Sequence, residues 1–483
     1  MCGIAGIFHL DTAKPVAEAR VRAMLGPMAH RGPDGSGVWT GPGVGLGHLR
    51  LSIIDLEGGA QPMATDDGQI VVTYNGEIYN FPEIRAELEA KGHRFLTHSD
   101  TEVILHGWRQ WGENCVDHFV GMFAFALHDR RTQSLWLVRD RLGVKPLHYA
   151  TLYDGSLIFA SELKGLLAHP MMRREPDLTA VDDYLAYGYV PDDTSIVKGV
   201  HKLGAGETLL AVRGKPLGRP RRYWDISFAD RHSGSAAALE EELVDVLRQS
   251  VRSRMISDVP LGAFLSGGVD SSTVVAFMAE NSREAVRTCT IGFDDASVDE
   301  TAHADLIARR YATDHRTRIV AADDFALMDI IGHHFDEPFA DISALPTYRV
   351  CQLARETVTV ALSGDGADEA FAGYRRHKFQ HSEEAIRSLI PASIRKPLLG
   401  GLGALYPKAD WLPRPLRAKQ TLLGLAMDGA EAYAQSVSVT RPAMRGLLWA
   451  DQHRAALSGY RAEDRYILAM RDAPARDAID RAQ

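Results

Sequence analysis

The second half of the chain alternates apolar runs with helical runs, and few folds can accommodate this pattern. From about Ala238 the runs PLGAFLS, AVRTCTIGF, HRTRIVAA and VTVALSGDG are typical of buried strands, whereas DSSTVVAFMAENS and DETAHADLIARRYAT are typical of helices. Strands joined by crossover helices form parallel sheets that are covered on both faces. The alternation therefore predicts an α/β doubly wound parallel sheet.

The first half has another texture, because short apolar runs such as GLGHLRLSIIDL and IVVTYNGEIYN are separated by Gly, Pro, Asn and Asp. This pattern predicts a strand-rich α+β domain. Between the halves, VRGKPLGRPRRYW and DRHSGSAA have the composition of a linker. A chain of 483 residues normally divides into two domains, so we predict domains at 1–212 and 238–483 with a linker at 213–237.

Charge and cysteine content narrow the class of protein. The net charge of −9 argues against nucleic acid as a partner, because phosphate binding needs clustered Lys and Arg. The four cysteines are scattered and form no CxxC pair, which disfavours zinc and a disulfide framework. No signal-like start and no run of about 20 apolar residues occurs. We expect a cytoplasmic protein with no membrane partner.

Cys2 directly follows the initiator methionine in MCGIAGIF. A cysteine is often only a small buried hydrophobic residue. Removal of Met1, however, would leave a thiol and an α-amine on one residue. The pKa of such an amine is about 7.7–8.0, so it can act as the base of the thiol, as in enzymes with an N-terminal threonine. Cys2 is therefore a candidate nucleophile.

A hydrolase of a free amino acid also needs a cation, an anion and an oxyanion hole. Arg50 in GHLRLSIID can pair with a carboxylate, although an Arg beside a strand is often a surface residue. Asp100 in HSDTEV can meet an ammonium group, although Ser-Asp-Thr is also typical of a helix N-cap. In YNGEIYN, Asn75-Gly76 predicts a hairpin turn. The Asn75 side-chain amide and the Gly76 N–H could still form an oxyanion hole in such a turn. Glu77, next to them, could contact the polar end of the ligand.

Two glycine-rich loops follow predicted strands in the second half. LSGGVDSS (265–272) has the small residues that bind an anion at a helix N-terminus, but lacks the Lys of a P-loop. Asp270 suits a Mg²⁺ ligand that holds pyrophosphate. SGDGADE (363–369) carries Asp365, Asp368 and Glu369, and taken alone is an acidic turn with solvated charges. Together, the loops lie where a parallel sheet binds a nucleotide.

Six stretches of the first 210 or so residues resemble the glutaminase domain of class II glutamine amidotransferases, in the order found in glutamine-hydrolysing asparagine synthetases. They are MCGIAGIF, HRGPDG, GHLRLSIIDL, YNGEIYN, HSDTE and DRLGVKPLHY. The resemblance implies an N-terminal nucleophile hydrolase fold, an αββα sandwich. It implies Cys2 as nucleophile and Asn75 and Gly76 as the oxyanion hole. The implied glutamine-binding residues are Arg50, Asn75, Gly76, Glu77 and Asp100.

Both loops, with TIGF (290–293) and FDEPFADISALPTY (335–348), resemble the synthetase domain of this family, of the PP-loop ATP pyrophosphatase type. That domain cleaves ATP to AMP and pyrophosphate, forming an acyl-adenylate that ammonia attacks. The resemblance implies ATP and Mg²⁺ as cofactors, with Asp270 and Asp368 as metal ligands. The implied ATP-binding residues are Leu265, Ser266, Gly267, Gly268, Asp270, Ser271, Ser272, Ile291, Ser363 and Gly364. Asp365 stands where relatives often carry Glu, which leaves the acceptor open.

The resemblance implies an ATP-dependent, glutamine-hydrolysing amide synthetase whose partners are L-glutamine and a carboxylate acceptor, aspartate by default. The alternative is a relative that acts on another carboxylate, such as a sugar acid in exopolysaccharide biosynthesis. Cys2 disfavours a β-lactam synthetase, LSGGVDSS disfavours sugar-phosphate and phosphoribosyl amidotransferases, and the intact candidate residues disfavour a non-catalytic scaffold. The oligomeric state stays open, with a homodimer as one option.

Segments that relatives carry after SGDGADE are missing here. These are a DRASMA-like segment, an E-x-R-x-PFLD-like segment and a later lysine, whereas this chain stops at RDAPARDAIDRAQ. A cation facing the adenylate is what amide formation needs. We therefore expect the chain to be truncated at its C-terminus, and to hydrolyse glutamine while forming the amide poorly.

Overall fold

The computed structural model describes residues 1–320, 327–407, 411, 413 and 418–482. The chain divides into two compact units. The first comprises Met1–Asp177, Val190–Asp225 and Ala236–Gly364, and the second Leu178–Tyr189, Ile226–Ser235 and Asp365–Gln483. The domain boundaries at 212 and 238 stay a prediction from sequence.

Two antiparallel sheets form the N-terminal part of the first unit. Within residues 1–222, all of which are described, the strands β1–β12 are Gly3–His9, Gly35–Gly41, Val44–Arg50, Met63–Ala64, Ile70–Ile78, Gly121–Asp129, Ser134–Arg139, His148–Thr151, Ser156–Ala160, Val200–Lys202, Glu207–Val212 and Arg221–Arg222. The first sheet has the order β10-β8-β9-β1-β3-β2 and the second the order β12-β11-β7-β6-β5-β4.

The described part of the chain also holds the helices α1–α20, and two short 3₁₀ helices at Gly26–Arg31 and Gly112–Asn114. In chain order α1–α20 are Glu18–Leu25, Phe81–Ala90, Thr101–Trp111, Cys115–His118, Leu163–Leu167, Leu178–Tyr187, Ala236–Ser253, Val269–Asn281, Thr301–Arg310, Met328–His334, Ala344–Ala354, Ala367–Ala370, Arg375–Leu389, Ala392–Leu405, Lys419–Ala426, Gly429–Val437, Pro442–Leu448, Asp451–Ala456, Asp464–Asp472 and Ala478–Ala482.

The two sheets stack face to face between helices. In β5, Ile70 and Val72 pack into a core shared with α2 and α3, whereas Val71 packs into the core between the sheets. This alternation follows from the two-residue repeat of a strand. A third core joins the other face of the first sheet to α1 and α5. The predicted αββα sandwich is confirmed.

A four-stranded parallel sheet follows, made of Leu261–Phe264 (β13), Arg287–Phe293 (β14), Asp314–Val320 (β15) and Val360–Leu362 (β16). Its order is β15-β14-β13-β16. Helices α7, α8 and α9 pack on one face, and α11 packs on the other, which confirms the doubly wound sheet. The strand order reverses between β13 and β16, and open α/β sheets bind ligands at such a point.

The second unit is helical, as the pattern beyond Tyr374 predicts. It contains a buried group of ion pairs, in which Arg445 lies 3.2 Å from Asp182 Oδ2 and 2.7 Å from Glu463 Oε1. Across the part of the chain that the structure describes, no helix is both long and apolar enough to span a membrane.

Candidate functional site

A half-open pocket with about 330 Å³ of empty space lies at the N-terminus of β1. Five of the six residues predicted from sequence for the nucleophile, the oxyanion hole and glutamine binding line it. The lining residues are Cys2, Arg50, Leu51, Ile53, Ile54, Gly59, Gln61, Tyr74, Gly76, Glu77, Ser99, Asp100 and Thr101. The sixth predicted residue, Asn75, is buried in β5 next to Gly76. The fold thus brings together residues that are up to about a hundred positions apart.

The thiol of Cys2 faces the backbone of the chain segment that follows β3. Its Sγ accepts a hydrogen bond from Leu51 N at 3.4 Å and donates one to Leu51 O at 3.6 Å. Burial raises the pKa of the Cys2 thiol, so the nucleophilic thiolate needs a nearby base at neutral pH. Burial also lowers the pKa of the Met1 α-amine to about 6. This end of the chain therefore favours the neutral form of an amine.

Asn75 and Gly76 do not form the predicted hairpin turn, so that prediction is wrong. They lie inside the continuous strand β5, where Asn75 is opposite Ala124 and Gly76 opposite Phe123 of β6. Pairing with β6 and packing on both faces outweigh the local preference of the dipeptide. Glycine is needed for another reason, because a Cβ at position 76 would lie 2.4 Å from Met122 O.

The side-chain amide of Asn75 is a buried donor. Asn75 is 1% exposed, and its Nδ2 has no hydrogen-bond partner among the described residues. A buried donor without a partner is costly, so such groups usually serve a ligand or a water.

Two carboxylates, those of Glu77 and Asp100, line the same pocket as the Cys2 thiol. Asp100 Oδ2 accepts hydrogen bonds from Tyr74 Oη at 2.7 Å and from Ile78 N at 3.0 Å. Burial raises the pKa of Asp100, and burial followed by the charge of Asp100 raises the pKa of Glu77. A bound cation would relieve both effects. Tyr74 has no counterpart in the sequence predictions, although it stands within the quoted motif YNGEIYN.

Asp100 does not cap the helix that it precedes. Helix α3 begins at Thr101, whose N–H donates to Ser99 Oγ at 3.2 Å, and no side-chain cap bond is made by Asp100. Asp100 thus occupies the N-cap position that the Ser-Asp-Thr pattern predicts, but its carboxylate makes no cap bond there, and the bond from Thr101 N goes to Ser99 Oγ. The Asp100 carboxylate is left to the pocket and to Tyr74.

Arg50, at the end of β3, binds the backbone carbonyls of the segment that follows β3. Its guanidinium donates to Asp55 O at 2.6 Å and to Leu56 O at 2.9 Å. No carboxylate pairs with it among the described residues. A carboxylate of a bound amino acid would supply the missing counter-charge, and Arg favours such a bidentate pair.

Glu102 stabilises the segment that leads to Asp100. Its carboxylate accepts hydrogen bonds from Leu96 N at 2.8 Å and from Thr97 N at 2.7 Å. Burial alone would raise its pKa, but hydrogen bonds from His106, Thr97 and Leu96 outweigh burial and lower the pKa to about 2. The ionised form therefore stabilises the fold above the unfolded-state pKa of about 4.3, and this stability is lost as the pH falls toward 2.

We expect Glu102→Gln to lower the melting temperature at pH 7, because an amide leaves one buried N–H poorly paired, at a cost of roughly 1–3 kcal/mol. At pH 4 the difference in the free energy of unfolding between wild type and variant should narrow by about 1 kcal/mol, because part of the stability that ionised Glu102 gives the wild type is then lost. Thermal unfolding followed by circular dichroism at both pH values measures this. Glu87→Gln, at an exposed position on α2, is the control, and a gap that widens at pH 4 would contradict the argument.

The two glycine-rich loops meet at the reversal of the parallel sheet. Gly267 has φ +81°, and a Cβ there would lie 2.5 Å from His303 Cβ. A Cβ at Gly364 would lie 2.7 Å from Ser271 N. A larger residue at position 364 would therefore separate the loops, whereas one at position 267 would push the first loop away from α9. In the first loop, Ser266 N donates to Ser271 Oγ at 3.2 Å and Gly268 N donates to Ser266 Oγ at 3.3 Å.

The predicted nucleotide ligands differ in their accessibility. Ser266, Gly268, Asp270 and Ser363 are exposed at the ends of β13 and β16, Gly267, Ser272, Ile291 and Gly364 are half-buried, and Leu265 and Ser271 are buried. The backbone N–H of Leu265 already donates to Cys289 O at 3.0 Å. Asp365, Asp368 and Glu369 belong to the second unit, where Glu369 Oε1 accepts from Tyr374 Oη at 2.6 Å. Within the described ranges, no group of three or more His, Cys, Asp or Glu could hold a metal ion.

Residues 1–224 match the family described as a glutamine amidotransferase domain, and residues 242–483 match the family described as asparagine synthase. A Methanocaldococcus jannaschii protein, provisionally named a glutamine-hydrolysing asparagine synthetase, is 38% identical over 84% of this chain and 83% of its own length. Glutamine-hydrolysing asparagine synthetase 1 of Bacillus subtilis is 36% identical over 83% of this chain. The chain spans only 63% of that relative's length. A solved glutamine phosphoribosylpyrophosphate amidotransferase of B. subtilis is 15% identical, with a TM-score of 0.35 over 66% of this chain and 81% of its own.

Proposed function

Since this chain belongs to the family of glutamine-hydrolysing asparagine synthetases, we propose that it hydrolyses glutamine at Cys2 and supplies the ammonia to an ATP-dependent amide synthesis. Glutamine hydrolysis is supported by one observation: the Cys2 thiol lines the same pocket as Arg50, Gly76, Glu77 and Asp100. It brings a thiol, a guanidinium, two carboxyl groups and the Gly76 backbone into one space, with Asn75 next to Gly76 along β5, and these are the groups that cleavage of a free amino acid requires.

Glutamine is oriented by its two charged groups. Its α-carboxylate pairs with Arg50, whose guanidinium is otherwise bonded to carbonyl oxygens. Its α-ammonium lies toward Glu77 and Asp100, and this positive charge would lower their raised pKa values and so stabilise the ionised carboxylates. The side-chain amide of glutamine is then directed toward Cys2.

Hydrolysis takes place in two steps. After Met1 is removed, the α-amine of Cys2 accepts the thiol proton and Sγ attacks the amide carbon of glutamine. The oxyanion that forms is stabilised by Asn75 Nδ2 and the Gly76 N–H, the former being a buried donor that lacks a partner among the described residues. The amine returns its proton to the leaving nitrogen, releasing ammonia and a thioester, which water hydrolyses to glutamate.

The second half uses the loops after β13 and β16. Backbone N–H groups of residues 266–268 and 363–364 hold the phosphates of ATP, for which Ser266 N and Gly268 N exchange their bonds to Ser271 Oγ and Ser266 Oγ. The carboxylate acceptor displaces pyrophosphate to form an acyl-adenylate. Ammonia attacks that carbonyl, and AMP leaves. Carboxylates and phosphate oxygens are the ligands that Mg²⁺ prefers, so Asp270, exposed at the start of α8, would suit a Mg²⁺ ion that would neutralise the pyrophosphate charge. Asp368 stays a metal ligand that the resemblance to the family implies.

The proposal is tested with glutamine, ATP, MgCl₂ and aspartate as the first acceptor. We expect glutamate to form, and pyrophosphate and AMP to appear in an acceptor-dependent manner. A screen of other carboxylates for glutamine-dependent pyrophosphate release then identifies the acceptor, because Asp365 leaves its identity open. A folded protein that forms no glutamate would contradict the glutaminase half. Release of ADP and phosphate in place of AMP and pyrophosphate would contradict the synthetase half.

A further inference from the structure

A chain of charged groups leads from the residue of the nucleophile to the segment between α10 and α11. Arg31 Nε donates to Cys2 O at 2.9 Å, and Arg31 Nη1 donates to Glu162 Oε1 at 2.7 Å. Glu162 Oε2 lies 2.9 Å from Lys164 Nζ, which lies 3.0 Å from Asp336 Oδ1. Three ionic side chains thus connect Asp336, in the segment before α11, to the backbone of Cys2.

The chain is largely shielded from water. The side chains of Arg31, Glu162, Lys164 and Asp336 are between 7% and 13% exposed. Burial would raise the pKa of Glu162, but the charges of Arg31 and Lys164 outweigh it and hold that pKa below its usual range. Removal of one partner from a buried ion pair strongly destabilises the surrounding structure, because the other charge stays buried without a counter-charge.

Asp336 also fixes the geometry of helix α5. Its Oδ2 accepts a hydrogen bond from Lys164 N at 2.8 Å, so it satisfies a free N–H in the first turn of α5. Glu162, the residue at the N-cap position, makes no side-chain cap bond and points instead to Arg31. The orientation of Glu162 toward Arg31 therefore depends on Asp336 as well as on Lys164.

The neighbouring Glu337 offers a natural comparison. Its Oε1 accepts from Ser195 Oγ and from Ile196 N, both at 2.8 Å, and its Oε2 lies 2.5 Å from Lys202 Nζ. Glu337 thus anchors the same segment to the glutaminase part with similar burial, but none of its partners contacts Cys2. Both carboxylates anchor the segment, but only Asp336 is connected to Cys2. Variants of the two residues therefore distinguish an effect of anchoring from an effect on the nucleophile.

We propose that Asp336 is a positioning residue of the glutaminase centre, which acts through Lys164, Glu162 and Arg31 to hold the Cys2 backbone, so that the segment 335–343 sets the reactivity of Cys2. This inference rests on the proposed glutaminase function. The segment runs directly into α11, which packs against the parallel sheet that carries the glycine-rich loops. A displacement of that sheet would therefore reach Cys2 through the segment and its ion pairs, although Asp336 itself does not contact glutamine.

The test compares Asp336→Asn with Glu337→Gln in the full chain. We expect Asp336→Asn to lower the glutaminase kcat by about tenfold or more, because small displacements of reacting groups cost at least that much, with KM for glutamine within about twofold of the wild type. Glu337→Gln should leave kcat within about twofold. Should Asp336→Asn fail to fold, Lys164→Met replaces it, and Lys164→Arg should restore most of the activity.

Alkylation of Cys2 by iodoacetamide, followed by mass spectrometry of the N-terminal peptide, gives a readout that needs no turnover. Its rate constant should change in Asp336→Asn and not in Glu337→Gln. Equal kcat and equal alkylation rates in Asp336→Asn and the wild type would overturn the inference, as would equal losses in both variants. A wild type without glutaminase activity, but with a Cys2 alkylation rate that depends on Asp336, would overturn the proposed function and leave this inference standing.

Discussion

Cys2→Ala is expected to reduce glutamine-dependent turnover on the order of 10⁴-fold or more, the scale on which loss of a nucleophile acts in covalent catalysis. Ala is small, so removal of Met1 and the freed α-amine are preserved while the thiol is lost. Ammonium-dependent pyrophosphate release should stay within about twofold of the wild type in a synthetase-competent preparation, because the second site needs only ammonia. Glutamate formation and pyrophosphate release, assayed separately, measure the two effects.

Cys351→Ser is the matched control for this prediction. Cys351 is an exposed cysteine on α11, outside the glutamine pocket. It should retain both activities, which separates the loss of one particular thiol from a general effect of cysteine removal. If Cys2→Ala loses both activities while circular dichroism shows an intact fold, the two sites are not separable and the scheme is wrong.

Asp270→Asn is expected to reduce ATP-dependent pyrophosphate release by roughly 10²–10³-fold, because one anionic ligand for the metal at the pyrophosphate is lost. The change is isosteric, and Asp270 is exposed at the start of α8 without a core contact that the substitution would break. Glutamine hydrolysis should therefore remain within about twofold of the wild type. Pyrophosphate and glutamate are measured in the same reaction.

Asp245→Asn tests whether any surface carboxylate of this part of the chain would have the same effect. Asp245 is exposed on α7 and pairs with Arg248, away from both glycine-rich loops. It should behave as the wild type in both assays. Full pyrophosphate release by Asp270→Asn would exclude Asp270 as a required metal ligand.

The kinds of element and their order followed from local sequence patterns. In the first half, short apolar runs separated by Gly, Pro, Asn and Asp predicted a strand-rich domain, and after Ala238 the strand–helix alternation predicted a parallel sheet, because both patterns are local. The resemblance of six short motifs to one family also indicated the residues of the glutamine pocket, five of which line it. These inferences depend on residues close together along the chain, or on the identity of residues within motifs.

Contacts between distant residues required the folded structure. Asn75-Gly76 has the local preference of a turn, yet pairing with β6 over nine residues makes it part of a strand. Asp100 has the position of a helix cap, yet the hydroxyl of Tyr74 draws its carboxylate into the pocket. Nothing local to Asp336 indicates that it contacts Lys164, which lies 172 positions earlier. These contacts depend on the free energies of burial and of ion pairing, to which residues from the whole core contribute. The sequence of a single helix or strand does not include those residues.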